Sequence, residues 1–521
     1  MARGCLAFSI SIVLALAAAP TALGRGKAEH VLLVVLDGMR PDFVTAEHAP
    51  HLTALRRDGV WFARNYCVYP SSTNVNGAAL ATGNYPDRTG IVGNMEFRAA
   101  VDAHKAFDTS LYPGFESNDP HLVARYLAAP TVPDLLHETG ERTAVAGSKP
   151  VAQLFDRWRQ RTREAAKKSL VVYRGKILPP SAGAIITDLI GPFPVRKHLP
   201  NDLEDRWTTR ALTEAMWKEG VPKFSLLWLS EPDLTAHETA PGSPTALGAI
   251  KSSDDNLGKV LGALRAKNVL ATTDILVVSD HGFSTVDLAF DAAERLRAAG
   301  FDADRNLPDN PKPGQVLVVS LGGSVEFYVV DHEPATIRRL VDYLEHSDFA
   351  GVIITRSEQE GTFTLAQLHL ETSSAPDILV ASRWNDRPNE YGIPGQIASD
   401  VGRKVGEGTH ATFSRFDMNN TLVAGGPDFR HGWTDQTPSG NVDLAPTILS
   451  ILGLNGPNDL DGRVLTEAFL DAKSAPATVT TELKAERPLG ETVWRQTLRL
   501  TTVGKTTYFV EGNGGRTAKK P

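Results

Sequence analysis

Three stretches of the chain are apolar at nearly every position, and each ends beside a carboxylate. Val31 to Leu36 runs into Asp37, Lys223 to Ser230 runs into Glu231-Pro232-Asp233, and Thr273 to Ser279 runs into Asp280-His281. A short run that is apolar at successive rather than alternate positions is the pattern of a strand covered on both faces, as in a parallel sheet between helices. Elsewhere the spacing turns helical. Leu52 to Phe62 starts with helical spacing and becomes strand-like toward Tyr69, while Ile250, Leu257, Leu261 and Leu264 fall on one face of a helix that returns the chain to the sheet. The expected fold class is therefore α/β, a large and mostly parallel sheet sandwiched by helices.

The later pattern adds a smaller unit. Strands from Val316 to Tyr328 and from Ala350 to Thr355 flank a helical segment, Ala335 to Glu345, which reads as a small α+β insertion at about 316–372. Asp377 to Ala381 and Asn420 to Ala424 return to the core-strand pattern, and Leu444, Ile448, Ile451 and Leu452 mark an amphipathic helix. A catalytic domain is expected over 28–475. A strand-rich extension follows over 476–521, with strand character from Gln496 to Val510 and a basic end expected to fray. Residues 100–200 carry the weakest pattern. Val132 to Thr139 is helical there, and the basic run Arg157 to Lys168 reads as a solvated helix face rather than a binding patch.

The N-terminus changes the cellular picture. A basic start, an apolar run from Cys5 to Ala19 and an Ala-x-Gly ending describe a secretory signal peptide over residues 1–24. The run is shorter than the ~20 residues a membrane-spanning helix needs, so no stable anchor is expected after cleavage. No later segment is apolar for long enough to span, and the mature protein is expected to be soluble. Of the two cysteines only Cys67 would remain, which excludes an intramolecular disulfide and suits a bacterial periplasm better than a disulfide-rich exterior. Residues 1–24 carry one Arg and no acid, so their removal takes the formal charge from −7 to −8. That balance argues against a nucleic-acid-binding surface.

The candidate chemistry sits where those strands end. In open α/β sheets the ligand crevice lies outside the carboxyl ends of the strands, which places Asp37, the Asp233/His237 pair and the Asp280-His281 pair together. Tyr69 to Gly83 sets a cluster of hydroxyls directly before small residues that can begin a helix. A helix N-terminus offers unpaired N–H groups to a phosphate, which makes Thr73 a candidate nucleophile; a Ser/Thr-rich segment there is equally an ordinary cap. Asn94 ends a turn-rich loop as a candidate donor to an oxyanion or a plain turn residue. Lys149 is a candidate contact for a substrate anion. His410, in the glycine-rich loop Gly406 to His410, gains meaning only from the other residues. Mixed Asp and His ligands suit zinc better than magnesium or calcium. Enough are present for two ions, and two metals with a hydroxyl imply phosphoryl-type transfer.

With these pieces in place the chain resembles the alkaline phosphatase superfamily, and within it the type I phosphodiesterase/nucleotide pyrophosphatase family. The likeness is carried by Leu36-Asp-Gly-Met-Arg-Pro41, Thr82-Gly-x-Tyr-Pro86 with Gly90-Ile-x-x-Asn94, Glu231-Pro-Asp-x-x-x-His237, Asp254-Asp-Asn-Leu-Gly258, Ser279-Asp-His-Gly282 and Gly408-Thr-His410. The resemblance implies an alkaline phosphatase-like core and two zinc ions. One would be held by Asp37, Thr73, Asp280 and His281, the other by Asp233, His237 and His410. It implies that Thr73 attacks phosphorus to give a phospho-threonine, with Asn94 as an amide donor to the phosphoryl oxygen. The substrate implied is a small phosphorylated molecule with a diester or pyrophosphate bond.

Around the nucleophile the chain departs from the nucleotide-cleaving members. Asn74-Val75 stand where those usually have an aromatic residue and a proline, and Pro70 to Asn76 looks more like the phosphonoacetate hydrolase branch. A phosphomonoesterase or phosphonate hydrolase is accordingly the alternative, and a metal-stabilised binding protein on a retired enzyme fold is a third. Sulfatases share some pieces, but Thr73 stands where they need a convertible Cys or Ser. The leaving-group pocket is expected from the 100–200 region and from the insertion. The sequence leaves the oligomeric state open.

Overall fold

The computed structural model describes residues 26–116, 126–157, 163–164, 166–472 and 474–519. The signal-peptide segment 1–24 and half of the basic run Arg157 to Lys168 lie outside these. Where that run is described, it ends in a short 3-10 turn, Ala166–Lys168, rather than a regular helix.

The apolar runs form the centre of a nine-stranded sheet. Its strands are β1 (His30–Leu36), β2 (Val60–Phe62), β3 (Thr143–Gly147), β4 (Leu170–Tyr173), β5 (Lys176–Leu178), β6 (Phe224–Leu229), β7 (Thr273–Val278), β8 (Leu422–Gly425) and β9 (Trp433–Asp435). They lie in the order β9-β2-β8-β7-β1-β6-β3-β4-β5. The central five, β7-β1-β6-β3-β4, are all parallel, so their carboxyl ends open on one edge. β8 runs antiparallel to both β7 and β2, and β5 antiparallel to β4.

Both faces are covered, as the continuous apolar pattern requires. Val31, Leu33 and Val35 of β1 face one layer with Phe224, Leu226 and Trp228, where helix α2 (Thr73–Thr82) and the helix Leu444–Ile451 pack. Leu32, Val34 and Leu36 face the other, against α1 (Pro50–Asp58) and the long α4 (Pro244–Ala266) through Leu52, Ile250, Leu257, Val260 and Leu264. Asp254 fixes the angle between these two helices, its carboxylate accepting from the His51 and Leu52 N–H groups at 2.9 and 2.8 Å. Every residue of α2 is buried. Its small side chains let it pack tightly against the segment Pro150–Phe155: a Cβ on Gly77 would stand 2.3 Å from Val151 Cγ2.

The second unit is a six-stranded sheet. It draws strands from Ala303–Asp304 to Ile378–Ser382 and so reaches beyond 316–372 on both sides. The helix Pro334–His346 covers it. Three long antiparallel strands, Thr478–Leu489, Thr492–Val503 and Thr506–Ala518, form the C-terminal sheet. The expected fraying is absent through Ala518, which pairs with Thr492. This sheet holds the molecule at two places. Gln496 bonds both ways with the backbone of Ile353 in the insertion, and Tyr508 donates its hydroxyl to Asp443 at 2.7 Å beside the core.

Candidate active site

Each of the central strands delivers a polar group to the open edge. Asp37 follows β1, Lys149 follows β3 after Ser148, and Asp280-His281 follow β7 after Ser279. Behind β6 the chain turns through Glu231-Pro232 into the short helix α3 (Asp233–Glu238), whose first and fifth residues are Asp233 and His237. His410 arrives from far along the chain. Gly408–Thr409 pairs antiparallel with Ser284-Thr285, just beyond His281, and this brings the His410 and His281 rings into a stack with centroids 3.7 Å apart.

The three histidines share one hydrogen-bonding arrangement. His237 Nδ1 lies 3.0 Å from Gly408 O, His281 Nδ1 2.8 Å from Gly282 O, and His410 Nδ1 2.7 Å from Ser71 O. A carbonyl only accepts, so each Nδ1 carries the proton and each Nε2 presents a lone pair. Burial, with the neighbouring His281 and His237, pushes His410 well below the ordinary imidazole pKa and keeps it neutral.

The carboxylates are arranged in the same way. Asp37 Oδ2 accepts from the Trp228 indole N–H at 2.8 Å, and Asp280 Oδ1 accepts from the N–H groups of Gly38 and His281, both at 3.1 Å. Asp233 Oδ2 accepts from Lys149 Nζ at 2.5 Å. The other oxygens, Asp37 Oδ1, Asp233 Oδ1 and Asp280 Oδ2, are buried without a hydrogen-bond partner. They face the histidine nitrogens: Asp233 Oδ1 lies 3.2 Å from His237 Nε2 and 3.5 Å from His410 Nε2, and His281 Nε2 lies 3.7 Å from Asp37 Oδ1 and 3.3 Å from Asp280 Oδ2. Lone pairs so placed repel, and a cation between them turns the repulsion into coordination. The donor set fits zinc on this ground. Two groups of ligand atoms come together, Asp233/His237/His410 and Asp37/Asp233/His281. Asp233 belongs to both, whereas the sequence pattern assigns it to one; Asp280 stands at the edge of the second.

Lys149 carries the charge balance. Its Nζ also lies 3.0 Å from Asp37 Oδ2, so it bridges the two carboxylates. Burial works against its charged form, but Asp233, Asp37 and Asp280 outweigh burial and hold its pKa above the ordinary lysine value. Lys149, a candidate contact for a substrate anion, thus has two carboxylate partners in the structure. Burial and Asp280, opposed by Lys149, push Asp37 well above the usual carboxyl range. Three acids held by one ammonium leave a negative surplus that suits a cation.

Thr73 opens α2 at the rim of this cluster, its Oγ1 3.3 Å from His281 Nε2. Ser72 occupies the N-cap position without making a side-chain cap bond, so the ordinary-cap reading of this segment does not hold. Asn74 N–H donates to Asn94 Oδ1 at 2.7 Å. That bond engages the carbonyl end of the Asn94 side chain and leaves its NH2 end for the cleft. Asn74 Nδ2 donates to Asp108 Oδ1 at 3.1 Å and Thr109 Oγ1 at 2.9 Å, fastening the loop that carries Asn94. Asn76 is committed to the Val68, Pro70 and Ser72 backbone and has no part in the cleft.

A cleft of about 620 Å³ opens from Thr73, Asn74 and Asn94. Its walls come from residues 95–234, among them Asp108, Lys149, Arg174, Phe193 and Arg196. Residues from the 100–200 region line this cleft, and none from the insertion does among the described residues. The insertion's strand Ser324–Val329 meets a different cavity, lined also by Arg98, His104 and Arg356. The sequence reading misses Trp228, hidden in an apolar strand, and the anchoring role of Asn74. No local signal marks either, because their partners lie on other elements.

A family model described as type I phosphodiesterase / nucleotide pyrophosphatase matches residues 31–395. Among characterised proteins, venom phosphodiesterase 2 of Crotalus adamanteus is 23% identical over 310 residues, covering 58% of this chain and 32% of its own length. The chain thus spans about a third of that relative. The bis(5'-adenosyl)-triphosphatase enpp4 of Xenopus laevis is 21% identical over 444 residues, 82% of this chain and 79% of that protein. Among solved structures, an inactive variant of murine ectonucleotide pyrophosphatase/phosphodiesterase 5 in complex with AMP superposes with a TM-score of 0.57 at 17% identity, covering 83% of this chain and 97% of that one. No helix among the described residues is long and apolar enough to cross a membrane.

Proposed function

Since the chain belongs to the type I phosphodiesterase/nucleotide pyrophosphatase family, we propose that it is an exported two-zinc hydrolase that cleaves phosphodiester or pyrophosphate bonds through a phospho-threonine on Thr73. One observation carries the reading. Three buried carboxylate oxygens without partners face three imidazole lone pairs beside a hydroxyl at a helix start. The AMP complex of the murine neighbour supports a small nucleotide-like substrate.

Asp37, Thr73, Asp280 and His281 would hold one zinc, and Asp233, His237 and His410 the other. Bound there, two zinc ions supply Lewis acidity that lowers the pKa of the attacking hydroxyl and offsets charge gathering on the phosphoryl oxygens. The protein's own groups set the geometry. The first turn of α2 aims Thr73 Oγ1 at phosphorus with its partial positive end toward the phosphoryl group. The Asn94 NH2, fixed by Asn74, donates to a non-bridging oxygen as charge builds there. Thr73 Oγ1 forms the new P–O bond while the departing alcohol or phosphate leaves, and water then releases phosphate or its monoester from Thr73. Lys149 bridges Asp37 and Asp233 and offsets the repulsion between their carboxylates while they serve as ligands.

The test is turnover. Zinc-loaded protein lacking residues 1–24 should release nitrophenol from bis(4-nitrophenyl) phosphate or from a nucleotide nitrophenyl ester. Equal inactivity of the native chain and Thr73→Ala would overturn the proposal. Export is tested separately, by N-terminal sequencing of protein recovered from a bacterial periplasm.

A further inference from the structure

Four of the five parallel strands lead into groups already placed in the metal cluster: Asp37, Lys149, Asp233 and Asp280. The fifth, β4, ends at Tyr173 and turns through Arg174-Gly175 into β5, with Tyr173 paired to Lys176. Both turn residues have left-handed backbones, Arg174 at φ 44° and Gly175 at φ 77°. A two-residue hairpin of this kind favours Asn-Gly, because Asn and Gly tolerate positive φ; an arginine there sits against its own steric preference.

The position is held firmly. The Arg174 N–H donates to Gly147 O at 2.9 Å, tying the tip to the end of β3 beside Lys149. Phe193 packs over the other turn residue so closely that a Cβ on Gly175 would stand 2.5 Å from its ring. The Phe193 ring in turn meets Trp207 edge-on at 5.1 Å. Arg174 and Phe193 both line the cleft that opens from Thr73.

The cleft's other cations are engaged. Lys149 bridges Asp37 and Asp233, and Arg196 pairs with Glu238 at 3.0 Å. Arg174 is exposed, and its side chain makes no hydrogen bond or ion pair among the described residues. A guanidinium kept free in an unfavourable backbone position, at the carboxyl edge of a parallel sheet, is placed for a ligand. We propose that Arg174 determines specificity by binding a second anionic group, a carboxylate or a phosphate, on the departing portion of the substrate. This rests on the hydrolase reading above and narrows it to substrates with an anion beyond the scissile phosphorus. A guanidinium binds either anion through two parallel N–H bonds.

The experiment uses zinc-supplemented protein and matched aryl phosphodiesters whose departing group carries no charge, a carboxylate or a phosphate. In Arg174→Asn, which suits the hairpin, the kcat/KM ratio of charged to uncharged substrate should fall at least tenfold, mostly through KM. Arg174→Lys should lose less. The carboxylate and phosphate arms show which anion is preferred. A ratio unchanged within twofold overturns the proposal. Calorimetric titration with 2-phosphoglycolate and methyl phosphate decides independently of turnover. The native chain should prefer phosphoglycolate at least tenfold and Arg174→Asn should lose that preference, whereas equal affinities in the native chain overturn it. Should no substrate turn over, the hydrolase reading fails while the calorimetry still judges Arg174.

Discussion

Trp228 sits on β6 and Asp37 just past the end of the adjacent parallel strand β1, and the Trp228 indole N–H reaches across to Asp37 Oδ2 at 2.8 Å. The bond holds one carboxylate oxygen and so presents the other, Oδ1, to the cluster. Outer groups that orient a ligand typically contribute about 10–100-fold in metal affinity. Trp228→Phe keeps most of the apolar volume and removes the donor. Zinc affinity, measured by competition with a chelating dye, should weaken within that range while the secondary structure by circular dichroism stays unchanged.

On the proposed mechanism Thr73→Ala removes the attacking oxygen and should lower kcat by about 10³-fold or more. Acid quenching of the native enzyme with a ³²P-labelled substrate should leave label on the protein, and Thr73→Ala should leave none. Thr73→Ser should retain both activity and label at a reduced level.

On the same mechanism the Asn94 amide donates as charge builds on the phosphoryl oxygen. Asn94→Ala should cost about 10²–10³-fold in kcat with zinc content unchanged. Asn74→Ala should give a smaller loss of the same kind, because it loosens the loop through Asp108 and Thr109 without removing the donor.

His237 and His410 approach only Asp233 among the carboxylates, whereas His281 also faces Asp37 and Asp280. His410→Ala should therefore bring the zinc content by elemental analysis from two per chain toward one. Asp280→Asn should remove the other equivalent. The same single equivalent lost in both variants would contradict a two-zinc cluster.

A different acid makes part of the stability depend on pH. Burial, helped by Asp428, pushes the Asp274 carboxyl up to about 9 from an ordinary value near 3.8. A carboxyl raised in the folded state stabilises the fold fully below its unfolded pKa, and that contribution is lost as pH rises through the folded value. The contribution of Asp274 to thermal stability should thus decline between about pH 4 and pH 9. Asp274→Asn, which keeps a donor toward Asp428 at all pH values, should flatten the decline in a melting series.

The parts of this protein readable from sequence are those where local pattern and chemistry coincide. Asp37, Asp233, His237, Asp280 and His281 were legible because each follows a run too apolar to be anything but a covered strand, and a parallel sheet places such ends together. Thr73 was legible from the helix start it precedes. His410 gained its place only from the combined motifs, since its partner strand lies more than a hundred residues earlier. Long-range pairing hid the rest. Trp228 reads as one more core aromatic, and Arg174 as a surface charge, until β3 and β4 are seen side by side. Ala303–Asp304 joins the smaller sheet as a two-residue strand with no apolar run of its own. The basic, glycine-containing stretch Gly512 to Ala518 has weak strand propensity, yet backbone pairing with Thr492 to Leu498 orders it.

Strand β7 carries Asp274 at its second position, beside Asp428, and ends next to Asp280-His281, about 20 Å away at the usual rise per residue. One short segment thus has a proton-dependent clasp at its first end and reactive groups at its last, with the buried Ile275 to Val278 between them. Sites so far apart with no shared partners usually combine additively. Evolution or a protein engineer can therefore retune the acid or alkali tolerance of this scaffold at Asp274 without disturbing the ligand cluster at the other end of the strand, and can reshape the cleft while leaving the Asp274 clasp as it is.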